Sequence, residues 1–98
     1  MAYPVGFQKD SEGYFIYKAA GADKDYQIDF TKWLNGDTLA SVIWTVPAGI
    51  TKDAESYTPT TARIDLSGGT VNKNYIISCD VETALGNSDV VKFRVVII

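Results

Sequence analysis

Four acids fall within fifteen residues, Asp23, Asp25, Asp29 and Asp37, and a run of carboxylates is the usual way a chain holds calcium. A calcium loop also needs a glycine at its sharp turn and a bidentate acid at its far end. Neither stands at the required spacing, so these residues read as solvated turn acids. Ser41, Thr45, Ser67 and Ser78 carry hydroxyls that could attack a carbonyl, but the chain has no histidine to take the proton. None of the four sits in a G-x-S-x-G elbow. A Ser11 hydroxyl activated by Lys9 or Lys18 would require a buried lysine, which this irregular N-terminal stretch is not expected to provide. Asp80 and Glu82 share one strand face and could act as paired carboxylates only in a sugar-sized cleft, which a domain this small seldom has; charged residues on a wet sheet face are the expectation. Cys79 falls among apolar residues and reads as a small buried hydrophobe. Gly68-Gly69 follows a strand without opening a helix, so a hairpin turn accounts for it better than a phosphate cradle. No catalytic residue, cofactor or metal is expected.

The bulk properties narrow the field in the same direction. Ninety-eight residues make one domain, with room for one core but not for a core and a deep cleft. At 46% hydrophobic and 21% charged residues the composition is that of a folded globular protein. A net charge of −3, with Arg63 and Arg94 the only arginines, argues against nucleic acid as a partner. The single cysteine cannot form an internal disulfide. The start MAYPVGFQKD lacks the basic and apolar regions of a signal peptide, and the longest apolar run, 95–98, is far too short to span a bilayer. Synthesis and folding in a cytosol, with no membrane partner, are expected.

Any such residues must be positioned by strands. One helical turn is predicted over 31–34, ended by Asn35-Gly36. Elsewhere the hydrophobic period is two. Tyr26, Ile28 and Phe30 alternate along a short strand. In 62–66, Ala62, Ile64 and Leu66 share one face. In 75–83 the inward set is Tyr75, Ile77, Cys79 and Val81; in 90–98 it is Val91, Phe93, Val95 and Ile97. The short loop 84–89 predicts that these last two strands pair antiparallel. A strand over 38–46 places Ala40, Val42, Trp44 and Val46 together, yet Leu39 and Ile43 claim the opposite face; either both faces are covered or a bulge shifts the register. Over 50–61 the signal is weak, with an edge strand expected near Ser56-Tyr57 before Pro59. Trp44 and Phe93 are expected as core anchors, with Trp33 a plug at the mouth of the core. Six or seven short strands with turns every eight to twelve residues predict an all-β fold, an immunoglobulin-like antiparallel β-sandwich of about seven strands over 25–98.

Residues 1–24 differ. Tyr3, Phe7, Tyr14, Phe15 and Tyr17 stand among Gly, Pro, Lys and Asp. Two paths are open: an extended N-terminal arm, with one strand near 13–18, that docks these aromatics on a neighbouring subunit, or an extra edge strand on the domain's own sheet. On the first path, deletion of residues 1–22 leaves a folded domain that assembles poorly; on the second it prevents folding.

The stretch DYQIDFTKWLNGDTLASVIWTVPAGI resembles the pattern D-Y-x-I-D-W-x-x-W-L-x-x-G-D-T-I-x-S-x-x-W-T-V-P-A-G-L of small proteins encoded among the head and tail genes of tailed bacteriophages, the phage fibre-tail adaptor or Ig-like virion accessory proteins. The resemblance continues through TTARIDLSGGTVNKNYIISCDVETALGNSD, with its S-G-G-T turn and T-x-x-G-x-x-D strand end, and covers about residues 18 to 95. Its most specific parts are 33–49 and 67–70. Phe30 stands where Trp is usual, one residue instead of two separates Leu34 from Gly36, and the first 17 residues look particular to this chain. The resemblance implies a non-enzymatic virion structural protein whose partners are other virion proteins (tail, fibre, head-tail or capsid subunits), assembled as a homo-oligomer in a symmetric particle. It leaves open an adaptor at a tail, fibre or head-tail junction or a capsid decoration protein. A carbohydrate- or cell-surface-binding module, stacking sugars on exposed aromatics, is the competing class.

Overall fold

The computed structural model describes residues 3–4, 8–11 and 13–98, with the side chains of residues 3, 4 and 9 left out. In chain order the elements are β1 (Tyr3–Pro4), β2 (Gln8–Asp10), β3 (Gly13–Lys18), β4 (Lys24–Asp29), α1 (Thr31–Leu34), β5 (Leu39–Thr45), β6 (Ile50–Tyr57), β7 (Thr61–Gly68), β8 (Asn74–Thr83) and β9 (Ser88–Ile97). They form two sheets, ordered β1-β4-β7-β6 and β2-β3-β9-β8-β5. Seven strands, β3 to β9, make the body of an all-β sandwich, and the two- and three-residue strands β1 and β2 extend one edge of each sheet.

Alternation decides which side chains meet between the sheets. Tyr26 and Ile28 on β4 and Ala62, Ile64 and Leu66 on β7 face Ile77, Cys79 and Val81 on β8 and Val91, Phe93, Val95 and Ile97 on β9, all buried. Phe93 lies at the centre, its ring 6.2 Å from Tyr26 and 6.3 Å from Trp44. Full burial of such side chains contributes about 1.5–3 kcal/mol each, so this layer dominates the stability of the fold. The helical turn is where the sequence places it. Asp29 Oδ1 accepts the Thr31 N–H at 2.9 Å and the Thr31 hydroxyl at 2.6 Å, and Asn35 adopts the left-handed conformation (φ 48°, ψ 50°) that stops it.

Several expectations are corrected. Over 25–98 the strands pair antiparallel throughout, as expected, but β3, ahead of that range, runs parallel to β9, with Tyr14 opposite Phe93 and Lys18 opposite Ile97. Parallel neighbours need a long crossover, and the five strands and one helical turn between them supply it. Gly68-Gly69 is not a hairpin turn but the passage from β7 in one sheet to β8 in the other. Both glycines have positive φ, and a Cβ on Gly69 would lie 2.7 Å from Ile97 Cδ1. The edge strand expected near Ser56-Tyr57 is present and longer than the weak signal indicated, an eight-residue β6. Only Ile50 of it is buried, so no alternation marks it. Finally, Ala40 is not inward. The register slips between Leu39, opposite Thr83, and Ser41, opposite Glu82, leaving Ala40 as the extra residue of a bulge. The bulge lets Leu39 turn inward with Val42 and Trp44 while Ile43 stays outside.

The path of 13–18 follows from the same register. Tyr14 and Ile16 pack against the core and Lys18 is buried, so this stretch is a strand of the chain's own sheet. The burial of Lys18 also corrects the expectation that no lysine could be buried there. Its Nζ donates to the carbonyls of Gly68 at 2.7 Å and Ala19 at 3.0 Å, tying β3 to the end of β7 across the two sheets. Ser11 is exposed and takes no part.

Candidate docking surface

The two outer faces differ in chemistry. On the β4–β7 sheet the outward residues include Asp25, Gln27, Arg63 and Asp65, and Arg63 pairs with Asp25 at 3.0 Å and with Asp65 at 3.5 Å. This is an ordinary solvated face. On the other sheet, the register aligns outward residues in rows across β3, β9, β8 and β5: Phe15–Arg94–Ile76, Tyr17–Val96–Asn74, Lys92–Ser78–Thr45, Val90–Asp80–Ile43 and Ser88–Glu82–Ser41. Aromatic and apolar side chains dominate the first two rows, with Arg94 and Asn74 among them; Asp80 lies between apolar residues in the fourth row and Glu82 between serines in the fifth. Tyr17 (49% exposed), Ile76 (52%), Val90 (51%) and Ile43 (62%) are all open to solvent.

Arg94 fixes the aromatic end. Its guanidinium carbon lies 5.2 Å from the centre of the Phe15 ring, while Nη2 bonds the Asp10 carboxylate on β2. Phe15 in turn meets Tyr17 edge-on at 5.7 Å. A cation held over one ring and an edge-on pair restrain side chains that would otherwise lose freedom on binding, so the surface is partly ordered in advance.

The residues predicted to dock a partner are thus divided. Phe15 and Tyr17 belong to this face, whereas Tyr14 points the other way, toward the core. Tyr3 has its backbone opposite Asp29 on the other sheet, and its side chain, like all of Phe7, lies outside the described residues. Of the anchors, Trp44 and Phe93 are buried; Trp33 is partly buried against the core and meets Phe30 edge-on at 5.9 Å. Sequence reasoning missed Ile43, Ile76, Val90, Val96 and Arg94 as surface residues of interest. Their signal was apolar residues at both parities of strands whose inward parity was already apolar.

The chemical candidates fall elsewhere. Among the described residues, no three of His, Cys, Asp or Glu converge as metal ligands. Asp29 serves the helix start, and its hydrogen bonds from Thr31 hold its carboxyl below the usual range. Asp37 lines a shallow pocket of about 220 Å³ with Trp33, Leu34, Thr83, Asn87 and Ser88. The neighbouring Thr83 hydroxyl, and then the Thr38 N–H at 2.8 Å, depress its pKa against the effect of burial. Burial, with Asp80 and Glu55 nearby, pushes the Cys79 thiol up to about 12, which makes it inert. Asp80 and Glu82 stand exposed on the outer face, where they line an open depression of about 390 Å³ with Ser41, Ile43, Ser88, Asp89 and Val90.

Comparison with known proteins assigns the chain. No curated protein matches it. Residues 18–96 match the family described as podophage GP4 fiber-tail adaptor protein gp77, a stretch that runs from the last residue of β3 to nearly the end of β9. Phe15 and Tyr17 precede it. The match spans most of the sandwich, and the chain belongs to this family of phage structural adaptors.

Proposed function

We propose that the protein is a non-enzymatic, Ig-like virion subunit that joins tail and fibre components by burying the outer face of the β3-β9-β8-β5 sheet, with residues before β3 making further contacts to a neighbour. The family match carries this reading, since the family's namesake is a fiber-tail adaptor. The exposed apolar residues of this face, Tyr17, Ile76, Val90 and Ile43, support the mechanism: they have no counterpart among the charged residues of the wet face opposite, and apolar clusters of this kind mark partner sites.

The Ig-like assignment is supported by strand order. Lettering β1, β4, β5, β6, β7, β8 and β9 as A to G turns the two sheets into ABED and GFC, with β3 beside G. Trp44 is then the buried tryptophan of strand C, directly opposite Cys79 on strand F. Tyr75, at the start of F, accepts the Thr70 N–H at 3.0 Å, as a tyrosine corner does.

A junction imposes ring symmetry, so the subunit assembles as a homo-oligomer of roughly six or twelve copies. Quantitative mass spectrometry of purified virions tests this. Copies in the hundreds would indicate capsid decoration instead, and absence from mature particles would end the proposal.

A further inference from the structure

Strand edges carry a second site. A sheet edge presents unpaired N–H and C=O groups, and proteins blunt such edges with short strands, charges, prolines or bulges. Three of the four sheet edges here are blunted. β1 has two residues and contains Pro4, β2 has three and contains Lys9 and Asp10, and β6 carries Lys52, Asp53 and Glu55 with a register slip between Lys52 and Ala54. The fourth, β5, reads LASVIWT, with no charge and no proline. Its first two residues are occupied on the open side: the Leu39 N–H donates to the Pro59 carbonyl at 2.9 Å, and the Tyr57 hydroxyl donates to the Ala40 carbonyl at 3.1 Å. From Ser41 to Thr45 no strand of the described residues lies beyond β5.

The surroundings of this open edge select an occupant. On its inner side a cleft of about 270 Å³ separates β5 from β6, lined by Val42, Trp44, Glu55, Ser56 and Tyr57. Trp44 is only 6% exposed, yet its indole N–H has no hydrogen-bond partner. On its outer side Ile43 projects, 62% exposed, and beyond it Asp80 and Glu82 form an acidic column along β8. A strand added to β5 would lie about 4.8 Å away and send alternate side chains to the two sides. One parity enters the cleft over Val42 and Trp44. The other lies along Ile43, where the long stem of an arginine or lysine covers the isoleucine and its charge reaches toward the acids.

We propose that the Ser41–Thr45 edge of β5 receives, by strand addition, an extended segment of a partner protein in which apolar residues alternate with basic ones. The proposal rests on the adaptor reading and specifies the chemistry of one partner. A second copy of this chain is a poor occupant, because pairing β5 with β5 would join two acidic columns in one continuous sheet on molecules of net charge −3.

Titration of the ¹⁵N-labelled full chain with short synthetic peptides tests it. A peptide alternating arginine with valine is expected to shift the amides of residues 41–45 and the Trp44 indole. One alternating glutamate with valine, equally able to form a strand, is expected to bind at least about tenfold more weakly. Replacing Asp80→Asn and Glu82→Gln together, both on the exposed face, is expected to erase most of that difference, and Ile43→Pro to abolish binding. If the proline variant does not fold, the peptide pair and the acid variant still decide. Equal binding of both peptides, shifts confined to other strands, or concentration-dependent self-pairing at 41–45 would overturn the proposal. Should the protein be found in virions at junction copy number while these titrations fail, the adaptor reading stands and the edge site falls.

Discussion

At the scale of single residues, two buried polar side chains carry the clearest consequences. Lys18 donates to the Gly68 and Ala19 carbonyls from a fully buried position, so its ammonium acts as a fixed pair of donors. Lys18→Met keeps the apolar stem and leaves both carbonyls without this donor. Stability in urea is expected to fall by about 1–3 kcal/mol, against nearly none for a methionine at exposed Lys92. Cys79 and Tyr26 both have pKa values raised to about 12 from ordinary values of 9.0 and 10.0, chiefly by burial. Below those ordinary values both groups are protonated in either state, and their contribution is fully present. As pH rises past them the unfolded chain ionises while the folded one keeps its protons, so stability is lost steadily toward pH 12. Tyr75, lowered by its Thr70 contact, opposes part of this. Urea midpoints measured from pH 8 upward are expected to fall, and Cys79→Val to flatten the fall.

At the scale of elements, the informative strand is β3. It lies between β2 and β9, it inserts Ile16 and Lys18 into the interior, and it is parallel to the last strand of the chain. Deleting residues 1–22 removes it, opening one side of β9 and stranding the Gly68 carbonyl. That truncation is expected to lose cooperative unfolding, while deletion of residues 1–11 keeps it; circular dichroism melts of the two proteins separate the cases. A 1–22 deletion that melts like the intact chain would mean that β3 contributes little to the core. Much of the element pattern was legible beforehand. β4, β7, β8 and β9 alternate cleanly because each has one buried face, and α1 was marked by Asn35-Gly36. β6 was not legible, because an edge strand exposed on both faces imposes no pattern on its residues. The strand β5 was half legible: the conflict between Leu39 and Ile43 announced a bulge, but only the partner strand shows that Ala40 is the residue set aside.

For the molecule as a whole, one outer face is wet and charged while the other exposes apolar patches, one at Tyr17 with Ile76 and one at Ile43 with Val90, and the proposed joining uses the second face. Ile76→Lys on the apolar face and Gln27→Lys on the wet face each replace an exposed residue, so both are expected to keep thermal stability within about 0.5 kcal/mol. Only Ile76→Lys is expected to block incorporation when each variant competes with the unaltered protein for assembling particles. Equal incorporation would show that the partner sits elsewhere.

The amino-acid sequence alone determined that this is an all-β chain without histidine, and it carried the adaptor resemblance in residues 33–49. Those properties are local: alternation, turn residues and the absence of histidine do not depend on what packs against what. The surface was another matter. Phe15 and Arg94 are 79 positions apart by number, and they become neighbours only because β3 returns to lie parallel to β9. Which strand would be left with an open, uncharged edge was equally beyond the sequence. Edges are assigned by sheet order, and sheet order is set by how two layers bury their apolar faces against each other.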